Sequence, residues 1–350
     1  MTAPLLACVG PAQHGVRMHA ENLAAHTPHA PTVMGPLDRV RTELLAGRSP
    51  VHLHFTDRIY GSTPASAADT VVQIARVRPV TVTLHDLPQP ANGHAFEARR
   101  ACYARVADAA RTVIVSSESE RAQLTRHVPV TGSAPVLVAP LPVDPPEREA
   151  WDAARRHAAA GERPTEGERP TEGERPTVGM LGFLYPGKGH DRVLDALADA
   201  PFPVDVLALG RASDGHEDLV EELDDAARRA GHTFRATGFL DDAALTRAAQ
   251  QVTVPVVAPA HVSASGSVGR WISAGRRPLV TPHPFFEELA ARAPWALTIT
   301  DDLPGALRRA LENPAGTWIA PDEWRTTDLP SSAVAAAVQW EQITGGGELS

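Results

Sequence analysis

Short apolar runs recur along this chain at intervals that leave room for one helix between them, and this alternation constrains the fold more than any single motif. In the first half the runs are Pro4–Gly10, Pro31–Met34, Val51–Phe55, Val80–Leu84, Thr112–Val115 and Pro135–Ala139. In the second they are Val178–Leu181, Val204–Leu209, Thr233–Ala236, Val252–Val257, Pro278–Thr281 and Ala296–Ile299. Segments with helical spacing separate most of them, including Val16–His26, Ser62–Arg76, Gly93–Ala109 and Ser119–His127. Strands alternating with helices predict parallel sheets covered on both faces. The expected class is α/β, with two doubly wound, Rossmann-like domains facing each other across a cleft and ligands outside the carboxyl ends of the strands.

A length of 350 residues suits two such cores. The boundary is marked between Asp144 and Thr177, where Pro145-Pro146 leads into a charged, alanine-rich helical piece and then into GERPTE, GERPTE, GERPT. A repeat with no apolar face to bury predicts a solvated, mobile linker. The expected division is 1–144, a linker over 145–177, and 178–330, with 331–350 as a final helix and tail.

Composition excludes some functions. A formal net charge of -9 gives no basic field for nucleic acid. Cys8 and Cys102 are the only two cysteines, which fits reduced core thiols and a cytoplasmic location rather than a disulfide framework. The N-terminus lacks the positive region of a signal peptide, and no stretch has the roughly 18 apolar residues of a membrane span. Peripheral membrane contact remains compatible with the sequence.

Of the 33 residues in the Lys+Arg total, one is lysine, Lys188, and it stands between two glycines in the loop after Val178–Leu181. A buried strand, a glycine-bearing loop and a helix starting near His190 bring backbone N–H groups over an anion, and a compact ammonium suits a phosphate contact. The competing reading is a lone lysine on a solvated loop. After the first strand, Gly10–Val16 also makes a glycine-bearing turn into a helix, with His14 and Gly15 inside it, but it is not GxGxxG. His54 and Asp57 follow the third strand and His85 and Asp86 the fourth, a set suited to acid–base chemistry or sugar-hydroxyl binding. Each alone reads equally as a turn residue. His52 and His54 share a strand face, but no third ligand stands at metal spacing, so no metal is expected. Ser116–Glu120 reads as a helix cap with acidic first-turn residues.

In Val262–Ile272, Ser265, Gly266 and Ser267 open a helix that carries Arg270, and Arg276 and Arg277 follow. Anion binding and simple helix capping both account for this composition.

The segment Gly182–Asp191 (GFLYPGKGHD), the His85-Asp86 turn and SASGSVGRWISAGRRPLV together resemble the GT-B glycosyltransferases, especially the retaining group known as family 4. The resemblance implies a transferase that moves a hexose from a nucleotide-diphosphate sugar, bound on the C-terminal domain, to a carbohydrate, lipid or small-molecule acceptor on the N-terminal one. It implies Lys188 at the donor diphosphate, with Ser265, Gly266, Ser267 and Arg270 as further donor contacts. The Gly15 loop would approach the phosphates from the other domain. His85 and Asp86 would lie at the transferred sugar, with His14, His54 and Asp57 around sugar or acceptor. Departure of the diphosphate would help deprotonate the acceptor, with neither metal nor cofactor required. The last helix would cross back to the first domain. Two family features are replaced: Phe183 and Leu184 stand where an arginine usually precedes the lysine, and Ser263–Ser265 and Arg270 stand near the positions of two usual glutamates. Those replacements motivate an alternative, a GT-B-like ligand-binding or scaffold protein of a glycan pathway. A sugar-phosphate or nucleotide-sugar epimerase on this architecture is a third reading, for which a carboxylate-rich cleft is expected and against which the many Ser, Arg and His residues at the inferred edge argue.

Overall fold

A computed structural model of the chain describes residues 3–160, 175–326 and 329–345. The GERPTE linker expected over the boundary lies, up to residue 174, outside the described residues. The chain forms two compact units, one made of Met1–Pro142 with Pro330–Ser350, the other of Val143–Leu329.

The first unit is a six-stranded parallel sheet of β1 (Leu5–Val9), β2 (Thr32–Gly35), β3 (Val51–Phe55), β4 (Val80–Leu84), β5 (Thr112–Val115) and β6 (Val136–Val138), in the order β2-β1-β3-β4-β5-β6. Every residue of β1, β3 and β5 is buried, as central strands covered on both faces require. One face packs Val51, Leu53, Phe55, Val82 and Leu84 under the helices Pro64–Ala75 and Phe96–Ala109. The other packs Leu6 and Ile114 with Leu23 of the helix Gly15–His26 and with Ala336 and Ile343 of the last helix, Ser332–Gly345. Asn22 donates to Ser332 Oγ at 3.0 Å and Gln342 to the Val138 carbonyl at 2.8 Å, so polar contacts as well as apolar ones hold the last helix to the first helix and to β6.

Caps explain where several helices begin. Thr63 and Ser66 form a reciprocal capping box with Pro64 at the first helical position. Ser117 accepts from Glu120 N at 3.0 Å while the Glu120 carboxylate takes Ser116 N at 2.7 Å, the expected cap with one acid turned inward. The helix Leu37–Ala46 and the single turn Asp57–Tyr60 are additions to the elements read from the sequence.

The second unit repeats the design with β7 (Thr177–Leu181), β8 (Asp205–Leu209), β9 (Thr233–Ala236), β10 (Val254–Val257), β11 (Leu279–Val280) and β12 (Thr298–Ile299), in the order β12-β11-β10-β7-β8-β9. All pairings are parallel. The charged helical piece after Pro145-Pro146 is the helix Arg148–Ala160, and it belongs to this unit rather than to a linker. Trp151 anchors it, 2% exposed, against Gly275, where an added Cβ would collide with the indole.

Arg276 and Arg277, expected to supply charge to a ligand, have other work. Arg276 is wholly buried and donates to the carbonyl oxygens of Ala249, Val252, Thr253 and Thr317, with its guanidinium 4.1 Å over the Trp318 ring. Arg277 pairs with Glu323 at 2.7 Å. The fixed planar fork of arginine suits such a junction of loop carbonyls. No helix among the described residues is long and apolar enough to cross a membrane.

Candidate functional site

In each sheet the strand order reverses beside the first strand of its series, between β1 and β3 and between β7 and β10. Loops diverge at such a point and leave room at the carboxyl edge. The loop 182–189 leaves β7 there. Gly182 N donates to the Leu209 carbonyl at 3.1 Å, and Leu184 N to the Arg211 carbonyl at 2.9 Å, which ties the loop to the end of β8. On the other side Ala260 N donates to the Gly187 carbonyl at 2.8 Å. Gly189 takes a φ of +100° where a Cβ would run into the Ala258 carbonyl oxygen, so a glycine is needed at this crossing.

The loop thus pinned carries Lys188. Its Nζ lies 5.9 Å from the Tyr185 ring centroid. Burial lowers its pKa to about 8, and among the described residues no carboxylate offsets that. His190 beside it is buried, with Nε2 unpartnered among the described residues, and burial together with the Lys188 charge lowers its pKa to about 3. Beyond β10, Ser265 caps the helix Gly266–Ser273 by accepting from Val268 N at 3.4 Å, and its hydroxyl meets Ser267 Oγ at 3.0 Å. Gly266 opens that helix with free space where a Cβ would stand. Arg270 points elsewhere: it is exposed and pairs with Asp242 at 2.9 Å. A different cation borders the Lys188 loop. Arg211, from the loop after β8, lies 4.9 Å over the Phe183 ring and pairs with Asp214 at 2.7 Å. Sequence reading passed over it because it sits 28 residues from the position at which the family resemblance places an arginine, and only strand pairing brings it close.

At the edge of the first sheet, His54 Nδ1 and His85 Nε2 are 3.1 Å apart. His52 bonds Thr81 Oγ1 at 2.9 Å and Thr83 Oγ1 at 3.1 Å, and Gln339 of the last helix donates to Thr83 at 2.8 Å. His19, on the helix Gly15–His26, closes the group, with ring centroids 5.1 Å from His54 and 5.5 Å from His85 and a side-chain hydrogen bond to Gln339. Burial lowers the pKa of His19 to about 4 and of His52 to about 3, and holds His54 and His85 well below the usual imidazole range. These four rings are therefore neutral at physiological pH. Among the described residues no group of three or more His, Cys, Asp or Glu is arranged to hold a metal ion.

His14 is the N-cap of the helix Gly15–His26, its Nδ1 accepting from Val16 N at 3.2 Å, and burial lowers its pKa while Asp86 opposes the change. Gly15 has free space where a Cβ would stand. Asp57, expected at an acceptor, is buried and chelated by Arg99 through Nε and Nη2 at 2.9–3.2 Å. Arg99 Nη2 also donates to the Asp86 carbonyl at 2.8 Å, and Tyr103 to the His85 carbonyl at 2.6 Å. Asp86 sits at φ +50°, which few non-glycine residues adopt. Asp57 thus acts through Arg99 in holding the His85-Asp86 turn. Replacing it, Asp57→Asn, is expected to cost about 1.5–3 kcal/mol, the range for hydrogen bonds to a charged group. Urea unfolding of wild type and variant checks this.

No family model matches the chain, and no curated protein does. Solved structures do. HepE of Anabaena, in complex with UDP and glucose, aligns with 98% of this chain and 100% of its own at 14% identity and a TM-score of 0.69. Sucrose-phosphate synthase of Thermosynechococcus elongatus aligns with 100% of each chain at 18% identity and a TM-score of 0.69. WaaG, a glycosyltransferase involved in lipopolysaccharide biosynthesis, covers 99% and 100% at 13% identity and a TM-score of 0.62. The described part of the chain therefore has the α/β fold seen in GT-B glycosyltransferases.

Proposed function

We propose that the protein is a glycosyltransferase that moves a hexose from a nucleotide-diphosphate sugar to a carbohydrate, lipid or small-molecule acceptor, with retention of configuration. The observation that carries this reading is Lys188, the single lysine, on a loop at the reversal point of the second sheet, with no carboxylate among the described residues to neutralise it. A buried cation that no carboxylate among the described residues neutralises favours an incoming dianion. When the sugar–phosphate bond breaks, negative charge grows on the departing diphosphate, and Lys188 stabilises it where low dielectric strengthens the interaction. Arg211 supplies a second charge at the rim of the same loop. His85 lies beside the sugar, and the departing diphosphate takes the acceptor proton. The protein's own cations fill the role of a metal, so activity is expected to persist in a chelator. Unpaired Cys8 and Cys102 fit a reducing, cytoplasmic setting.

HepE has been solved with UDP-glucose, which makes that compound the first donor to try. Thermal unfolding with UDP-, GDP-, ADP- and TDP-glucose tests the reading, since a ligand bound only to the folded state raises its stability. At least one is expected to raise Tm in the wild type and to lose most of that effect in Lys188→Ala. No shift with any donor would overturn the reading. The alternative, a GT-B-like binder without transfer, draws on Ser265 and Arg270 being engaged in a cap and an ion pair near the usual glutamate positions. It predicts a Tm shift without release of nucleotide diphosphate in the presence of an acceptor extract.

A further inference from the structure

The four neutral imidazoles leave one question of direction open, namely which nitrogen of His85 carries its proton, and the atoms around His54 answer it. His54 Nδ1 and His85 Nε2 face each other at 3.1 Å. A hydrogen bond between two neutral imidazoles holds one proton, so one ring donates and the other accepts. If His85 donated through Nε2, the His54 proton would sit on its own Nε2. That nitrogen is buried and has no hydrogen-bond partner among the described residues. A buried N–H with no acceptor costs more than a bare lone pair, and such orphans are rare in folded proteins. If His54 donates through Nδ1, its Nε2 carries only the lone pair, and the proton of His85 must lie on Nδ1. Turning the His54 ring over would carry Nδ1 away from His85 and give up the 3.1 Å bond, and His52, edge-on at 4.9 Å and 89° and itself held between Thr81 and Thr83, packs against the ring in its present place. His19 and Gln339 close the remaining side.

We propose that His54 is a positioning residue that locks His85 in the tautomer with its proton on Nδ1, so that His85 meets its substrate as a hydrogen-bond donor. The consequence for sugar rests on the glycosyl-transfer reading: His85 donates to a hydroxyl or ring oxygen and accepts no proton from the acceptor. The lock itself is a property of the free protein and is tested without any substrate. Long-range proton–nitrogen correlation spectra of protein labelled with 15N-histidine report which nitrogen of each ring is protonated, and His85→Gln assigns the His85 signals by their loss. The wild type is expected to show His85 protonated at Nδ1 and bare at Nε2 at neutral pH. His54→Asn keeps an amide N–H near the place of Nδ1 and is expected to preserve that pattern. His54→Leu removes the donor, and the two His85 nitrogens are then expected to average. A proton on Nε2 of His85 in the wild type overturns the proposal, as does an unchanged Nδ1–H pattern in folded His54→Leu. Should His54→Leu fail to fold, wild type and His54→Asn decide: an averaged or Nε2-protonated His85 in either overturns it. A locked His85 in a protein that binds no nucleotide sugar would leave the lock standing and remove only its assigned substrate.

Discussion

Lowering the pH from 7 to 5 is expected to destabilise the unit built on the first sheet by about 4 kcal/mol or more. His19 titrates near 4 and His52 near 3 in the folded state, against 6.5 for a free imidazole. Between those values the unfolded chain binds protons that the folded chain refuses, so stability is full above 6.5 and is lost as the pH falls toward 4. Each of the two contributes about 2 kcal/mol of loss by pH 5. His54 and His85 move in the same direction, since burial and the neighbouring rings lower both. The total is comparable to the stability of an ordinary domain. Urea unfolding at pH 7 and pH 5 measures it, with Trp340 as a reporter because it is the single tryptophan of this unit and sits 5.1 Å from His29 on the last helix. His52→Phe is expected to flatten part of the dependence. Equal midpoints at the two pH values would contradict the assignment of buried neutral rings.

Arg276→Met is expected to destabilise the second unit by about 3–5 kcal/mol, because a methionine fills the space but leaves the carbonyls of Ala249 and Val252 without this donor, while Thr253 keeps the Thr317 hydroxyl and Thr317 keeps the Arg277 N–H. The ends of the strand-connecting segments at 249–253 and 314–317 are joined largely through this guanidinium. In a domain of this size such a loss lowers Tm by roughly 6–20 °C. Arg276→Lys keeps the charge but has no planar fork and restores little. Burial already lowers the Arg276 pKa to about 9, so the residue is retained for its donors at some electrostatic cost. A variant within a degree of wild type would show that the carbonyls find other partners.

The fold was legible because the central strands, buried on both faces, leave nearly unbroken apolar runs, and each of the twelve strands among the described residues falls within or beside one of the short runs read from the sequence. Leu37–Ala46 was less so: it has no side-chain cap bond, and only Val40 and Leu44 are buried. Arg148–Ala160 looked like linker because its surface is charged, although Trp151 in its midst is the residue that binds it to the second core. At the site, the loops at strand ends were legible from glycine and histidine placement. What the side chains do there depended on residues far along the chain. Asp57 is consumed by Arg99, 42 residues away, Thr83 is bonded by Gln339 across 256, and His19 joins the cluster from a helix rather than a strand end. Arg276 looked like surface charge, and nothing local announces that it is an interior hub.

Nucleotide binding at Lys188 is the central claim, and titration of UDP by calorimetry across the alkaline range tests it most directly. Between about pH 7.5 and 8.5 the terminal phosphate is already ionised, its second pKa being about 6, and the uracil N3–H keeps its proton, so any change belongs to the protein. Lys188 loses its proton near pH 8 in the free protein. UDP affinity is therefore expected to fall by roughly threefold between pH 7.5 and 8.5, while Lys188→Arg binds with a flat profile and Lys188→Ala binds at least about tenfold more weakly at pH 7.5. UDP affinity that is unchanged by Lys188→Ala and flat with pH would contradict the account.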